Sequence, residues 1–336
     1  MPIHLEIDIG KIRRFISRDP EPIICFYGGD PTMRLDLVTR IMDEVPAKHY
    51  VIQTNGVMLH RLHPEYIRRF DTILLSIDGR RETTDSYRGR GVYEKVIDRA
   101  RYVRSVGFKG DLVARMTVSS SSDIYEEVTH LLSLNGLFTH VHWQLDVLWD
   151  YPPMQRYDDF DGWIERYNDG VSRLIQLWIR EMEEGRVLGI APFKGLMWSM
   201  LTGERTRYLR CGSGIDAYAI ATDGRILACP IAPEFRFNVV GHIDRDGLDS
   251  IGGKALIGEP CLSCDYYDLC GGRCFFTNKT MFWGEEGFHK VCRTVFHLVD
   301  ELRRVEPRIR ELIDEGVIDM NMIKYPPYTN SVEIIP

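Results

Sequence analysis

Seven of the eight cysteines lie between Cys211 and Cys292, spaced so that several thiols can meet at one centre. Cys211, Gly224 and Cys229 read C-x12-G-x4-C. The segment CLSCDYYDLCGGRC then sets Cys261, Cys264, Cys270 and Cys274 as C-x2-C-x5-C-x3-C, and Cys292 lies further on. Short gaps between ligands keep the loop-closure cost of convergence low. A zinc ribbon needs two C-x2-C knuckles, and one is present. Disulfides suit an exported protein, yet MPIHLEIDIG lacks the basic stretch and apolar run of a secretory signal. The pattern therefore predicts thiolate ligation of iron–sulfur clusters. Gly271 and Gly272 suit a backbone that wraps closely round a cluster and offers N–H groups to its sulfides.

Composition narrows the remaining classes. The chain of 336 residues has room for two domains and a large core. A formal net charge of −7 gives no overall basic field for nucleic acid or anionic lipid. Arg13-Arg14 and Arg303-Arg304 stand beside acids on helix-like stretches and read as solvated faces. No apolar run approaches the ~20 residues of a membrane helix. Neither nucleic acid nor membrane is expected as a partner, and the expected location is cytoplasmic.

The elements upstream of the cysteines must position the rest of the chemistry. Strands are expected at Ile23–Tyr27, Tyr50–Thr54, Thr72–Ile77, Leu112–Val118 and His140–Val147, each short, apolar and buried on both faces. Helical patterns at Leu35–Asp43, Pro64–Arg69, Tyr93–Val106 and Ile124–Leu132 alternate with them. That alternation predicts parallel βαβ units, whose chemistry collects at the carboxyl ends of the strands. A polar linker is expected at Trp149–Asp161, then helices at Trp163–Met182 and near Phe193–Leu201. Ala217–Ala228 reads as a hairpin turning at Thr222-Asp223-Gly224. A helix over Cys292–Glu315 stops at Gly316, and Tyr325–Pro336 reads as an irregular tail.

The cysteine pattern resembles the SPASM domain, the auxiliary-cluster domain of peptide-modifying radical S-adenosylmethionine (SAM) enzymes. Upstream, FYGGDP, QTNG, SIDG, DSYRGRG, ARMTV and HWQLD are similar to strand-end segments of radical SAM barrels. Together with LRCGSG and LCGGRC, they most resemble an archaeal family of peptide-modifying radical SAM/SPASM proteins.

The resemblance implies an α/β fold: a partial (β/α)6 barrel over 1–150, a helical linker region over 151–205 and a SPASM iron–sulfur domain over 206–336. It implies that Gly28, Gly29, Asp30, Pro31, Asn55, Ser76, Asp78, Arg115 and Gln144 bind SAM. It implies two auxiliary [4Fe–4S] clusters: an outer one on Cys261, Cys264, Cys270 and Cys292, and an inner one with ligands Cys211, Cys229 and Cys274. The activity implied is radical modification of a ribosomally made peptide, with electrons from a donor such as a ferredoxin or flavodoxin. In such enzymes a reduced cluster cleaves SAM, and the radical released takes hydrogen from the substrate. Asp146 and Asp216 are candidate bases by location.

One expected element is missing from these residues. The C-x3-C-x2-C that holds the SAM-cleaving cluster belongs before FYGGDP, where there is only Cys25, read as a small buried core residue. The first barrel strand is not legible either. Two explanations stand: a chain that lacks its amino-terminal part, or a degenerate, non-catalytic iron–sulfur protein that has lost SAM cleavage. Edge protection favours the first, because IICFY without a neighbour is an aggregation-prone edge. A zinc-stabilised binding module is a third reading, which metal and sulfide analysis separates from the others.

Overall fold

The computed structural model describes residues 5–146, 159–231, 233–325 and 335–336. Five strands form a parallel sheet in sequence order: β1 (Ile23–Phe26), β2 (His49–Thr54), β3 (Thr72–Ser76), β4 (Asp111–Val118) and β5 (His140–Leu145). Helix α1 (Ile9–Ile16) precedes them. Between the strands run α2 (Leu35–Glu44), α3 (Pro64–Arg69), α4 (Arg81–Arg88), α5 (Val92–Ser105) and α6 (Ile124–Leu132). The α/β alternation expected from sequence is present, with most boundaries within one or two residues.

The strands are not buried alike on both faces. Register places Cys25, Val51, Thr72 and Asp111 in one row, then Gln53, Leu74, Val113 and His140. Ser76, Arg115 and His142 form the next row, and Thr117 pairs with Gln144. This inner face therefore mixes apolar Val51, Leu74 and Val113 with polar residues low in the sheet and is wholly polar in the rows nearest the carboxyl ends. The outer face carries Ile52, Ile73, Leu75, Ala114, Met116 and Trp143, which join the helices in the core. Each fully buried Ile, Leu or Met among them contributes about 1.5–3 kcal/mol, enough to hold the polar face in one orientation.

Strand β1 is an edge among the described residues, pairing with β2. Its Ile23 is 38% exposed. Cys25 is exposed too, which corrects the sequence reading of a buried core residue. The inner side of β1 is open, so the strand's apolar composition does not translate into burial.

Beyond β5 the sheet gains one parallel bridge, Val141 to Ile190, with the Val141 N–H donating to Gly189 O at 2.7 Å. Helices α7 (Phe160–Glu183) and α8 (Ala191–Thr202) back this edge. Trp143 donates its indole N–H to Tyr167 at 2.8 Å, and Phe193 meets Trp143 and Trp178 edge-on.

The cysteine-bearing part has its own antiparallel sheet of β6 (Ala219–Ile220), β7 (Arg225–Leu227) and β8 (Val239–His242). Four short helices accompany it: α9 (Leu248–Ile251), α10 (Tyr267–Cys270), α11 (Phe275–Thr280) and, near the end, α13 (Met320–Ile323). Between the last two runs α12 (Gly284–Asp314), which packs on α7 and α8. It begins before Cys292 rather than at it, because Glu285 and Glu286 complement its amino end. The amino-terminal segment crosses to this sheet: the Glu6 N–H donates to Thr222 O at 2.9 Å, and Lys11 pairs with Asp244 at 2.6 Å. Most of the expected linker at Trp149–Asp161, and residues 326–334 of the tail, fall outside the described residues.

Candidate functional site

The turn after β1 presents bare backbone. Gly28 and Gly29 have φ of 92° and 52°, and a Cβ at either would meet nothing within 4 Å. Left-handed backbone and open space together suit glycine and leave main-chain groups accessible to a ligand. Asp30 fixes this turn. Its carboxylate accepts from the Thr32 N–H at 2.9 Å, the Thr54 hydroxyl at 3.0 Å and the Asn55 N–H at 2.7 Å. It thus ties the β1 turn, with Pro31 next to it, to the end of β2. Asn55 turns its side-chain oxygen to the Val57 N–H at 2.9 Å, a local turn contact.

On the inner face Ser76, Arg115 and Gln144 lie in the carboxyl halves of β3, β4 and β5. Ser76 pairs in register with Arg115, whose guanidinium also donates to Met116 O at 3.1 Å. Gln53 lies on the same face, and its Oε1 is buried with no hydrogen-bond partner among the described residues. An orphaned acceptor there fits a bound polar ligand. Asp78 is completely buried. Arg88 grips its two oxygens at 2.5 and 2.7 Å, and the Thr117 N–H reaches it at 2.8 Å. Its carboxylate is committed to protein partners, so within this set it acts as a brace between β3, α4 and β4.

Four cysteines, Cys261, Cys264, Cys270 and Cys292, line one cavity together with Arg273 and Trp283. Three chain segments bring them there: the loop before α10, α10 itself and the amino-terminal third of α12. Gly271 at φ 71° and Gly272 at φ 97° are both closely packed; a Cβ on Gly272 would lie 2.7 Å from Ile257. The Arg273 N–H points at Cys270 Sγ at 3.2 Å, and Asn278 approaches Cys261 Sγ at 3.5 Å. Burial, reinforced by neighbouring Cys270, pushes the Cys261 and Cys292 thiols up to about 12. A positively charged metal centre is what such thiols need to ionise.

This donor set fits an iron–sulfur cluster. Among the described residues no three His, Cys, Asp or Glu side chains converge tightly enough for a single metal ion. A cluster spreads its thiolates over several iron atoms, so a looser cage around a shared cavity is compatible with it.

The remaining cysteines sit on adjoining elements. Cys229 lies just past β7, and Asn238 clamps its main chain with bonds of 2.8 and 2.7 Å. Ser213, close after Cys211, donates to Ala228 O at 2.7 Å and so ties the two cysteine segments. Cys274 caps α11. Of the two candidate bases, Asp146 is buried at the end of β5, whereas Asp216 is exposed and held by the Tyr208 hydroxyl at 2.5 Å.

Sequence reading gave no individual role to Gln53, Thr117, His142, Arg88, Arg273, Asn238 or Asn278. For Thr117 and His142 a signal existed: polar residues recur every second position in ARMTV and HVHWQL. Arg88, Asn238 and Asn278 reach partners 10, 9 and 17 positions away through loops and turns that no periodic pattern marks.

Comparison with known proteins bears on these arrangements. Residues 8–130 match the model of the Radical SAM superfamily. Over that stretch the chain is similar to a radical SAM domain. It is 25% identical over 272 residues to the mycofactocin maturase of Mycobacterium tuberculosis, covering 74% of this chain and 66% of that protein. The chain thus spans slightly less than two thirds of the length of that maturase. With the cysteine-type anaerobic sulfatase-maturating enzyme of Clostridium novyi it shares 20% identity over 289 residues, covering 78% and 75%. In structure the chain is similar to anSMEcpe with bound AdoMet and Kp18Cys peptide, at TM-score 0.68 and 15% identity over 91% of this chain and 90% of that one. It also resembles Streptococcus suis SuiB bound to precursor peptide SuiA, at TM-score 0.53 and 17% identity over 80% and 65%. These likenesses establish the radical SAM type of α/β fold.

Proposed function

We propose that this protein takes part in SAM-dependent radical modification of a ribosomally made peptide. The observation that carries the reading is the juxtaposition of a polar inner sheet face, ending at the open Gly28-Gly29 turn, with a four-cysteine cavity in the same chain. SAM, when bound with a reduced cluster, supplies a carbon-centred radical able to take hydrogen from an unactivated side chain. The Gly28–Pro31 backbone would receive the amino group of SAM, with Asp30 holding the turn in shape. Ser76 and Arg115 line the space for its carboxylate and ribose, Gln144 faces the same pocket from β5, and Asp78 and Asn55 hold the neighbouring strand ends. The apolar outer face and its helices keep that space rigid.

On this reading Cys261, Cys264, Cys270 and Cys292 hold an outer auxiliary [4Fe–4S] cluster, and Cys211, Cys229 and Cys274 contribute to an inner one. A small electron-transfer protein supplies the reducing equivalents. Cleavage of SAM needs a further C-x3-C-x2-C set, which residues 1–336 do not contain. Residues 1–336 alone would then be inactive as an enzyme.

The test is intact mass of the native protein, then anaerobic incubation with SAM, reductant and candidate precursor peptides. A native mass that includes such a cysteine set, with a SAM-dependent mass change in a peptide, is the expected result. A native protein confined to residues 1–336, with bound iron and sulfide but no SAM cleavage, would establish the non-catalytic electron-transfer or binding reading instead.

A further inference from the structure

The chain's own last residues lie in the space between the two parts of the candidate site. Tyr325 sits at the amino ends of the strands, packed against Val51, Leu74 and Val113 of the inner face, edge-on to His140 at 4.9 Å. Ile335 and Pro336 lie at the other end. Gln144 donates its amide to Ile335 O at 3.3 Å, and Arg273 donates Nε–H to Pro336 O at 2.8 Å. The Ile335 side chain is 2% exposed. One donor comes from β5 of the parallel sheet, the other from the loop between Cys270 and Cys274. The two main-chain oxygens they reach belong to consecutive residues.

Arg273 has more to give. Its Nη1 and Nη2 are buried without a hydrogen-bond partner among the described residues. A left-handed φ of 46° and the Trp283 ring, 5.9 Å from the guanidinium, set its direction. A buried guanidinium with unused donors is costly unless an acceptor arrives. Carbonyl oxygens of an extended peptide supply such acceptors whatever the peptide's side chains are.

We propose that Gln144 and Arg273 form a subsite that reads the main-chain carbonyls of an extended peptide, and that Ile335–Pro336 occupy it in cis. An incoming peptide must displace these residues. The proposal rests on the peptide-modifying reading above and names the subsite where that peptide is gripped.

The test uses the full chain and a fluorescein-labelled hexapeptide SVEIIP, the sequence of residues 331–336, read by fluorescence anisotropy. Ile335→Ala removes the apolar anchor of the resident segment but keeps its main chain. Probe binding is expected to tighten by about tenfold, since one buried side chain of this size carries that much affinity. Adding Arg273→Ala or Gln144→Ala to the Ile335→Ala chain should weaken the probe again by about tenfold, the weight of a lost hydrogen bond to a charged or buried donor. Gln144 lies away from the cysteines, so its variant decides the matter even if Arg273→Ala disturbs the loop. Probe affinity that ignores Ile335→Ala, that ignores both donor variants, or that is absent throughout overturns the proposal. The measurement involves neither SAM nor turnover. A protein without SAM chemistry can therefore pass it, and a working peptide modifier can fail it.

Discussion

Arg88 holds Asp78 in a forked ion pair, with contacts of 2.5 and 2.7 Å, and the carboxylate it grips is completely buried. The pair joins the last turn of α4 to the end of β3. Through the Thr117 N–H it also fixes the end of β4, next to the inner-face residues of the candidate site. Removing one partner strands a buried charge, whereas an exposed pair could be lost at little cost.

Arg88→Ala should therefore destabilise the fold by about 3–5 kcal/mol. Arg88→Lys should recover only part of this, because an ammonium cannot reproduce the fork. Urea denaturation of the three proteins checks it. A loss no larger than that of a surface pair would mean that Asp78 is not braced by Arg88 in solution.

Asp30 offers a separable effect. Asp30→Ala removes the acceptor shared by Thr32, Thr54 and Asn55 and should lower stability by about 1–3 kcal/mol. If the Gly28-Gly29 turn contacts SAM, calorimetric titration should also show SAM affinity falling by about tenfold. Lower stability with unaltered SAM affinity would remove the turn from the binding site.

The proposed function divides the cysteines into ligands and a bystander. Cys264→Ala should lower iron and acid-labile sulfide in anaerobically purified protein by about four atoms each, one [4Fe–4S] cluster. Cys25→Ser should leave both contents unchanged, since Cys25 lies on the sheet, away from the four-cysteine cavity. Full metal content in the Cys264 variant would contradict the ligand set.

Lys194 gives a pH signature. Its amine is buried beside His140, at 3.2 Å, and burial lowers its pKa from 10.5, with nearby Asp111 opposing that shift. A lysine whose folded pKa is depressed binds fewer protons folded than unfolded between the folded value and 10.5. Stability contributed at this site therefore rises with pH across that window. Lys194→Met should abolish the rise. The quantity to measure is the difference in unfolding free energy between wild type and variant as pH is raised, which cancels the tyrosines and thiols that titrate nearby. A difference that is flat in pH would mean that Lys194 is solvated.

Much of this protein is legible from sequence alone. Apolar runs alternating with helical periods specify the parallel sheet, because each strand and helix obeys local rules of pattern and capping. Cysteine spacing within CLSCDYYDLCGGRC forecasts a shared centre, since short loops leave the thiols little freedom to part. Glycine pairs mark Gly28-Gly29 and Gly271-Gly272, because left-handed backbone is a local property. What only the tertiary structure decided depends on contacts between distant residues. Cys25 looked buried because its strand is apolar, but burial is set by what lies across from a strand, and β1 is an edge. Asp78 looked free to meet a ligand until α4 delivered Arg88 to it. Cys292 joins Cys261, Cys264 and Cys270 only because α12 packs across α7 and α8. Arg273 and Gln144 meet consecutive residues of one segment across 63 and 191 positions of sequence. No local pattern encodes such meetings. They arise from burying one continuous apolar core, which fixes where the polar ends must come together.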